Sequence, residues 1–166
     1  MGSPRDYKNT IVPNWCPGCG DFGIQNAIAA VCAAKGWPNE DIVLISGIGC
    51  SSRIGGYQYC YGAHTTHGRA LPFAQGIKCA NKDIHMIGCS GDGDSYAICL
   101  VHALHAMKRN MDITYIVFDN QVYGLTKGQT SPMSSKGFVT KTTPDGNPLT
   151  PLDAPSMALA AGATFV

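Results

Sequence analysis

Three short runs that are apolar almost throughout, DIVLIS at residues 41–46, IHMIGC at 84–89 and ITYIVF at 113–118, alternate with stretches of helical spacing. A strand that reads as a continuous apolar run is buried on both faces, the condition of a parallel strand covered by helices on either side. The intervening segments fit that arrangement. Residues 21–35 place Phe22, Ile24, Ile28, Val31 and Cys32 on a stripe of uneven helical spacing that Gly36 and Pro38 stop. Residues 70–80 predict a second, short helix, and residues 95–109 a third, closed by Asn110. The expected class is α/β with a doubly wound, mostly parallel sheet. Residues 155–166 read as a helix leading into a further strand, ATFV, so the expectation is a single domain over residues 1–166 that is shortened at its C-terminal end.

Charge and hydropathy narrow the function. Lys and Arg number 12 and Asp and Glu 11, a net +1 that offers no attraction to nucleic acid or to an anionic membrane surface. Charged residues are 14% of the chain and apolar ones 45%, so part of the surface is expected to face other protein. No apolar run reaches the roughly 18 residues of a membrane span. The opening MGSPRDYKNT lacks the apolar core of a signal peptide, and the expected location is the cytoplasm, away from membranes. Eight cysteines are present; several, such as Cys32 and Cys99, stand singly in apolar stretches where a thiol packs as a small hydrophobe, and the set reads as reduced.

In open α/β sheets ligands bind at the carboxyl ends of the strands. Every unusual cluster in this chain follows a predicted strand: GIGCSSR at 47–53, GDGD at 91–94 and DNQVYGLTKGQ at 119–129. The stretch from 120 to about 151, rich in Gly, Pro, Thr and Ser, is too long for an ordinary connection and is a candidate functional loop. Asn120 stands 28 residues after Asp92 (120 − 92 = 28), so one βαβ unit brings a carboxylate and an amide oxygen to neighbouring strand ends. Oxygen ligands suit a hard cation such as Mg²⁺, which shares them with phosphates, while glycines let backbone N–H groups approach those phosphates. A lone GDG is usually a tight turn; here the spacing, the strand context and the following Gly124-Leu125 agree with a cofactor site.

Cys16-Pro17-Gly18-Cys19 is a C-x-x-C pair just before a predicted helix, with Cys50 at the end of the first strand. A redox dithiol, a zinc site and an iron–sulfur cluster all use thiolates at this spacing. The dithiol reading normally follows a strand, and residues 1–15 show no strand periodicity.

WCPGCGDFGI, SGIGCSSR, GAHTTHGRALPFAQGIK, GDGDSYAI and ITYIVFDNQVYGLTKGQTSPMS together resemble the beta subunit of 2-oxoacid:ferredoxin oxidoreductases, over about residues 14–155. HTTHGRALPFAQGIK and GLTKGQTSP are most similar to the 2-oxoglutarate form, with the pyruvate enzymes as a close alternative. The resemblance implies the thiamine-diphosphate-binding fold in its diphosphate-type domain. It also implies oxidative decarboxylation of a 2-oxoacid to acyl-CoA and CO₂, with coenzyme A as acyl acceptor and electrons passed through an iron–sulfur cluster to ferredoxin. By that resemblance Asp92 and Asn120 are side-chain Mg²⁺ ligands and Val122 gives a backbone carbonyl. Gly93, Asp94, Gly124 and Leu125 line the diphosphate and thiazolium, with Ile48, Gly49, Cys50, Ser51 and His67 also against thiamine diphosphate. Cys16, Cys19 and Cys50 match the first three ligands of a [4Fe–4S] cluster, whose fourth ligand lies in a C-terminal region not found in this sequence. Cys60, Cys79 and Cys89 belong to other contexts, and Cys99 replaces a more usual Gly, which reads as a packing change.

Thiamine enzymes use a carboxylate, normally Glu, on the aminopyrimidine, and the chain has a single glutamate, Glu40, at the entry to a strand and so at the wrong end. A partner, the family's alpha subunit, is expected to supply it. Among basic residues, Arg53 is a candidate for the substrate carboxylate and Lys127 for coenzyme A phosphates or the distal carboxylate of 2-oxoglutarate. His64 and His67 are candidates for contact with cofactor or substrate, against the plain reading of solvated loop histidines. His102 and His105 read as a packed or solvated helix face. A non-catalytic or zinc-stabilised interaction module, and a cluster-free thiamine-dependent decarboxylase or synthase, stand as alternatives.

Overall fold

A computed structural model describes residues 2–166; Met1 lies outside the described residues. Four strands, β1 (Ile42–Ser46), β2 (Tyr61–His64), β3 (His85–Gly91) and β4 (Thr114–Phe118), form one sheet in the order β2-β1-β3-β4 with every pairing parallel. Helix α1 (Asp21–Lys35) covers one face, and α2 (Ala70–Ala80) covers the other with α3 (Leu100–Arg109) beside it. The alternation along β1 explains the apolar run: Ile42 and Leu44 pack with Ile28, Ala29, Cys32 and Ala33 of α1, while Val43 and Ile45 pack with Ala70, Ala74 and Ile77 of α2. α1 stops where expected because Gly36 takes a left-handed conformation (φ 64°), which a glycine adopts without a Cβ clash.

β1 is flanked by β2 on one side and β3 on the other, so the chain leaves it in one direction and crosses back through α2 to the other. The switch of strand order opens a crevice at the carboxyl ends of β1 and β3. Among the described residues no helix is long and apolar enough to cross a membrane.

Three local features differ from the sequence reading. Residues 61–64 form an edge strand, not a loop; all four are exposed, so no side-chain periodicity marks them, and the strand is held by its backbone ladder from Val43↔Tyr61 to Ser46↔His64. Gly62 lies directly over the Leu44 carbonyl, where a Cβ has no room. The start of the third predicted helix, Asp94–Ile98, is a widened π turn, and the α-helix begins only at Leu100. Residues 154–161 form α4 (Ala154–Ala161) as expected, but ATFV is not a strand: Thr164 bonds the Asn110 side chain at the end of α3, and Phe165 is 95% exposed.

Lys78 ties the second helix to the sheet. It is 6% exposed, its Nζ donates to the carbonyls of Lys82 (2.9 Å) and Ile84 (2.7 Å), and it pairs with Asp112 at 2.9 Å. The buried carbonyls matter more than the ion pair, because the Asp112 side chain is 94% exposed and screened by water. Urea unfolding of Lys78→Met is expected to show a loss of about 1–3 kcal/mol, the cost of two carbonyls left without that donor. Asp112→Asn should cost less than about 1 kcal/mol; equal losses in the two variants would contradict this division.

Candidate cofactor site

The carboxyl ends of β1, β3 and β4 open into a cavity of about 250 Å³. After β1 come Ile48, Gly49, Cys50 and Ser51; after β3, Asp92, Gly93 and Asp94; after β4, Asn120, Val122, Gly124 and Leu125. Cys19, at the entry to α1, and His67, between β2 and α2, complete the set expected from the sequence. Cys16, Arg53, His64 and Lys127 lie outside the lining. Arg53 is exposed and donates from Nε to the Tyr57 hydroxyl (3.1 Å). His64 ends β2, its Nδ1 3.2 Å from both Ser46 Oγ and the Ser52 carbonyl. Lys127 is exposed, with φ 76°. Glu40 sits in the turn Asn39–Asp41 just before β1, at the far end of the sheet from the cavity.

Asp92 is 1% exposed, and Ser131 Oγ donates to its Oδ2. Burial raises its pKa, the Ser131 bond opposes that rise, and the charge of Asp119 adds to it. A carboxylate in that position is stabilised by an added positive charge, and with the Asn120 amide oxygen in the same lining it is of the donor type that could hold a hard cation. Asn120 Oδ1 accepts the Val122 N–H at 3.1 Å, which folds the turn after β4 back toward the cavity. Ser131 reaches Asp92 because the long loop is itself ordered. Ser134 Oγ accepts from the Ser131 N–H (2.8 Å) and donates to the Gln121 carbonyl (2.5 Å), and buried Asn147 donates to the Ser134 carbonyl (3.0 Å). The expected functional loop is thus a folded flap whose inner end holds the carboxylate.

Trp15 sets the cysteine end of the cavity. It is 8% exposed, meets Phe22 and Tyr57 edge to face with ring centroids 5.3 and 4.9 Å away, and donates from Nε1 to the Cys50 carbonyl at 2.6 Å. That bond draws the Cys16–Cys19 turn toward the end of β1. Cys50 Sγ lies 3.6 Å from the position a Cβ on Gly124 would take, so the thiol faces the loop after β4. Its pKa is raised by burial first, then by the charges of Asp21, Cys16 and Cys19, with Arg53 acting the other way. Among the described residues, no three His, Cys, Asp or Glu side chains stand where they could hold one metal ion. Cys99 is 1% exposed, and burial pushes its thiol up to about 11, as a packing residue requires.

Residues that sequence reasoning missed act across long stretches of chain. Ser131 is 39 residues from Asp92 and Trp15 is 35 from Cys50, distances over which no local pattern exists. Tyr123 also lines the cavity, donates from its hydroxyl to the Gly93 carbonyl (3.2 Å), and fills the space a Cβ on Gly93 would need. An aromatic ring amid the polar DNQVYGLTKGQ cluster was the available signal for it.

Comparison with known proteins identifies the family and the fold. The family of thiamine pyrophosphate enzymes, C-terminal TPP binding domain, matches residues 47–166. The 2-oxoglutarate oxidoreductase subunit KorB of Mycobacterium tuberculosis is 46% identical over 162 residues, covering 98% of this chain and 43% of that protein. The 2-oxoacid:ferredoxin oxidoreductase subunit beta of Saccharolobus solfataricus is 45% identical over 155 residues, covering 92% and 51%. A solved structure of 2-oxoglutarate:ferredoxin oxidoreductase from Magnetococcus marinus, with 2-oxoglutarate, coenzyme A and succinyl-CoA bound, superposes with a TM-score of 0.97 at 42% identity, covering 98% of this chain and 56% of that one. The chain spans about half the length of the curated relatives it matches. By its match over residues 47–166 the chain belongs to the thiamine pyrophosphate enzymes, in their C-terminal TPP binding domain, and within them it resembles the beta subunits of 2-oxoacid:ferredoxin oxidoreductases.

Proposed function

We propose that the chain is the cofactor-binding part of a 2-oxoacid:ferredoxin oxidoreductase beta subunit that takes 2-oxoglutarate, with coenzyme A as acyl acceptor and ferredoxin as electron acceptor. The observation that carries the reading is the single cavity that Asp92, Gly93, Asn120 and Gly124 share with Cys19 and Cys50. Thiamine diphosphate, when bound, supplies the carbon nucleophile and electron sink for decarboxylation of a 2-oxoacid. The residues present fit that group: Asp92 and Asn120, with the Val122 carbonyl, would hold Mg²⁺, and the backbone at Gly93 and Gly124 would approach the diphosphate. Ser131 fixes Asp92 by occupying Oδ2, so the carboxylate is oriented before a cation arrives. Glu40 is too far away to act on the cofactor, and an alpha subunit would bring the activating carboxylate to the open side of the cavity.

The thiols give a less complete match. Cys16, Cys19 and Cys50 would be ligands of a [4Fe–4S] cluster, each on a different iron; Cys16 and Cys19 stand near enough to Cys50 for their charges to raise its pKa, and Cys16 lies outside the cavity lining. The second reading, a thiamine-dependent decarboxylase or synthase without a cluster, has these three thiols against it, and absence of iron from the protein is what would favour it. Arg53 and Lys127, both exposed, are assigned to the carboxylate of the incoming substrate and to coenzyme A phosphates or the distal carboxylate.

Reduction of a viologen dye should require 2-oxoglutarate, coenzyme A and the coexpressed alpha subunit together, with kcat/KM for 2-oxoglutarate at least about tenfold above that for pyruvate. Arg53→Ala or Lys127→Ala should raise KM severalfold. Full activity of the chain alone would contradict the need for a partner, and unchanged kinetics in both variants would remove those two assignments. Iron, sulfide and zinc analysis of the anaerobically purified pair separates the two readings: iron with sulfide, lost in Cys50→Ser, is expected, whereas decarboxylation by protein free of iron would establish the cluster-free reading.

A further inference from the structure

Asp94 is buried to 3% exposure, and neither of its carboxylate oxygens is left open to an anionic ligand. Oδ1 accepts the N–H of Gly68 at 2.7 Å and of Ile48 at 3.3 Å, and it also meets His67 Nδ1 in a short contact. Oδ2 is buried without a partner and lies against Gly47, where a Cβ would collide with it. The carboxylate therefore spans the loops after β1 and β2 and ends on an imidazole. His67 lines the cavity with 36% of its side chain exposed, and the bond to Asp94 is its one hydrogen bond among the described residues. Its ring also meets Tyr123 edge to face, with centroids 6.4 Å apart.

A carboxylate on one imidazole nitrogen settles which nitrogen carries the proton and how the ring is turned. We propose that Asp94 is a positioning residue for His67: it holds the proton on Nδ1, so that Nε2 is a bare acceptor for an O–H or N–H group of a ligand in the cavity. Two backbone N–H groups fix the carboxylate, and Gly47 leaves space for it, so the ring is oriented before any ligand binds. An anionic diphosphate is spared a facing carboxylate, because Asp94 is turned into the protein. The identity of the ligand rests on the thiamine diphosphate reading above; the tautomer does not.

Nitrogen-15 histidine labelling of the chain, with long-range proton–nitrogen correlation, reads the tautomer directly, the His67 signals being those absent from His67→Gln. Nδ1 is expected to be protonated and Nε2 bare. In Asp94→Asn, a neutral oxygen replaces a charge-assisted acceptor roughly twice as strong, and the population should move toward the proton on Nε2. Affinity for thiamine diphosphate with Mg²⁺ should fall about tenfold in Asp94→Asn, the lower end of what losing an orienting partner costs a histidine ligand. His67→Gln should lose a similar factor, and the double variant no more than either. A proton on Nε2 in the wild-type chain, an unchanged tautomer in Asp94→Asn, or losses that multiply in the double variant would each overturn the assignment. Wild-type protein that fails to bind thiamine diphosphate would sink the cofactor reading instead, and the tautomer, which needs no ligand, would still decide the role of Asp94. Should Asp94→Asn not fold, the wild-type tautomer decides it alone.

Discussion

β1 and β3 run side by side in the same direction, registered from Ile42↔His85 to Ser46↔Cys89, while the chain leaves β1 for β2 on its other side. Everything chemical in the molecule depends on that one pairing. It sets GIGCSS beside GDGD, and the next parallel partner, β4, brings Asn120 alongside. A sheet with helices on both faces exposes its strand ends as the natural place for loops to converge, and a change in strand order keeps those loops from filling the gap between them.

The crevice is shaped by a few polar contacts that each cross from one loop to another. Asp94 ties the end of β3 to the loops after β1 and β2, Ser131 ties the flap to Asp92, and Trp15 ties the cysteine turn to Cys50. Each carries a buried or half-buried group that would be costly to leave without a partner, so the loops are held in one arrangement. The glycines at this end have specific work in that arrangement. Gly47 admits the Asp94 carboxylate and Gly93 admits the Tyr123 ring, contacts that any side chain would block.

Much of this was readable in the residues because burial on both faces writes itself into composition. The three apolar runs are β1, β3 and β4, and the Gly36 stop of α1 is a local conformational requirement. That Asp92 and Asn120 follow neighbouring strands and line one cavity was likewise visible, since one βαβ unit separates them. What could not be read had no local cause. β2 is exposed along its whole length and owes its existence to β1's free edge. Ser131, Trp15 and Tyr123 act on groups 30 or more residues away. Asp94 lines the cavity as expected, but that its carboxylate turns toward Ile48, Gly68 and His67 only the folded loops could reveal.

The central claim is that a buried carboxylate at this strand end holds a cation, and through it thiamine diphosphate. Calorimetric titration of the chain with thiamine diphosphate, with and without Mg²⁺, tests it most directly, wild type against Asp92→Ala. The account predicts binding that needs Mg²⁺ and is lost in the variant while the fold survives. Binding equally tight without the metal, or in Asp92→Ala, would contradict it.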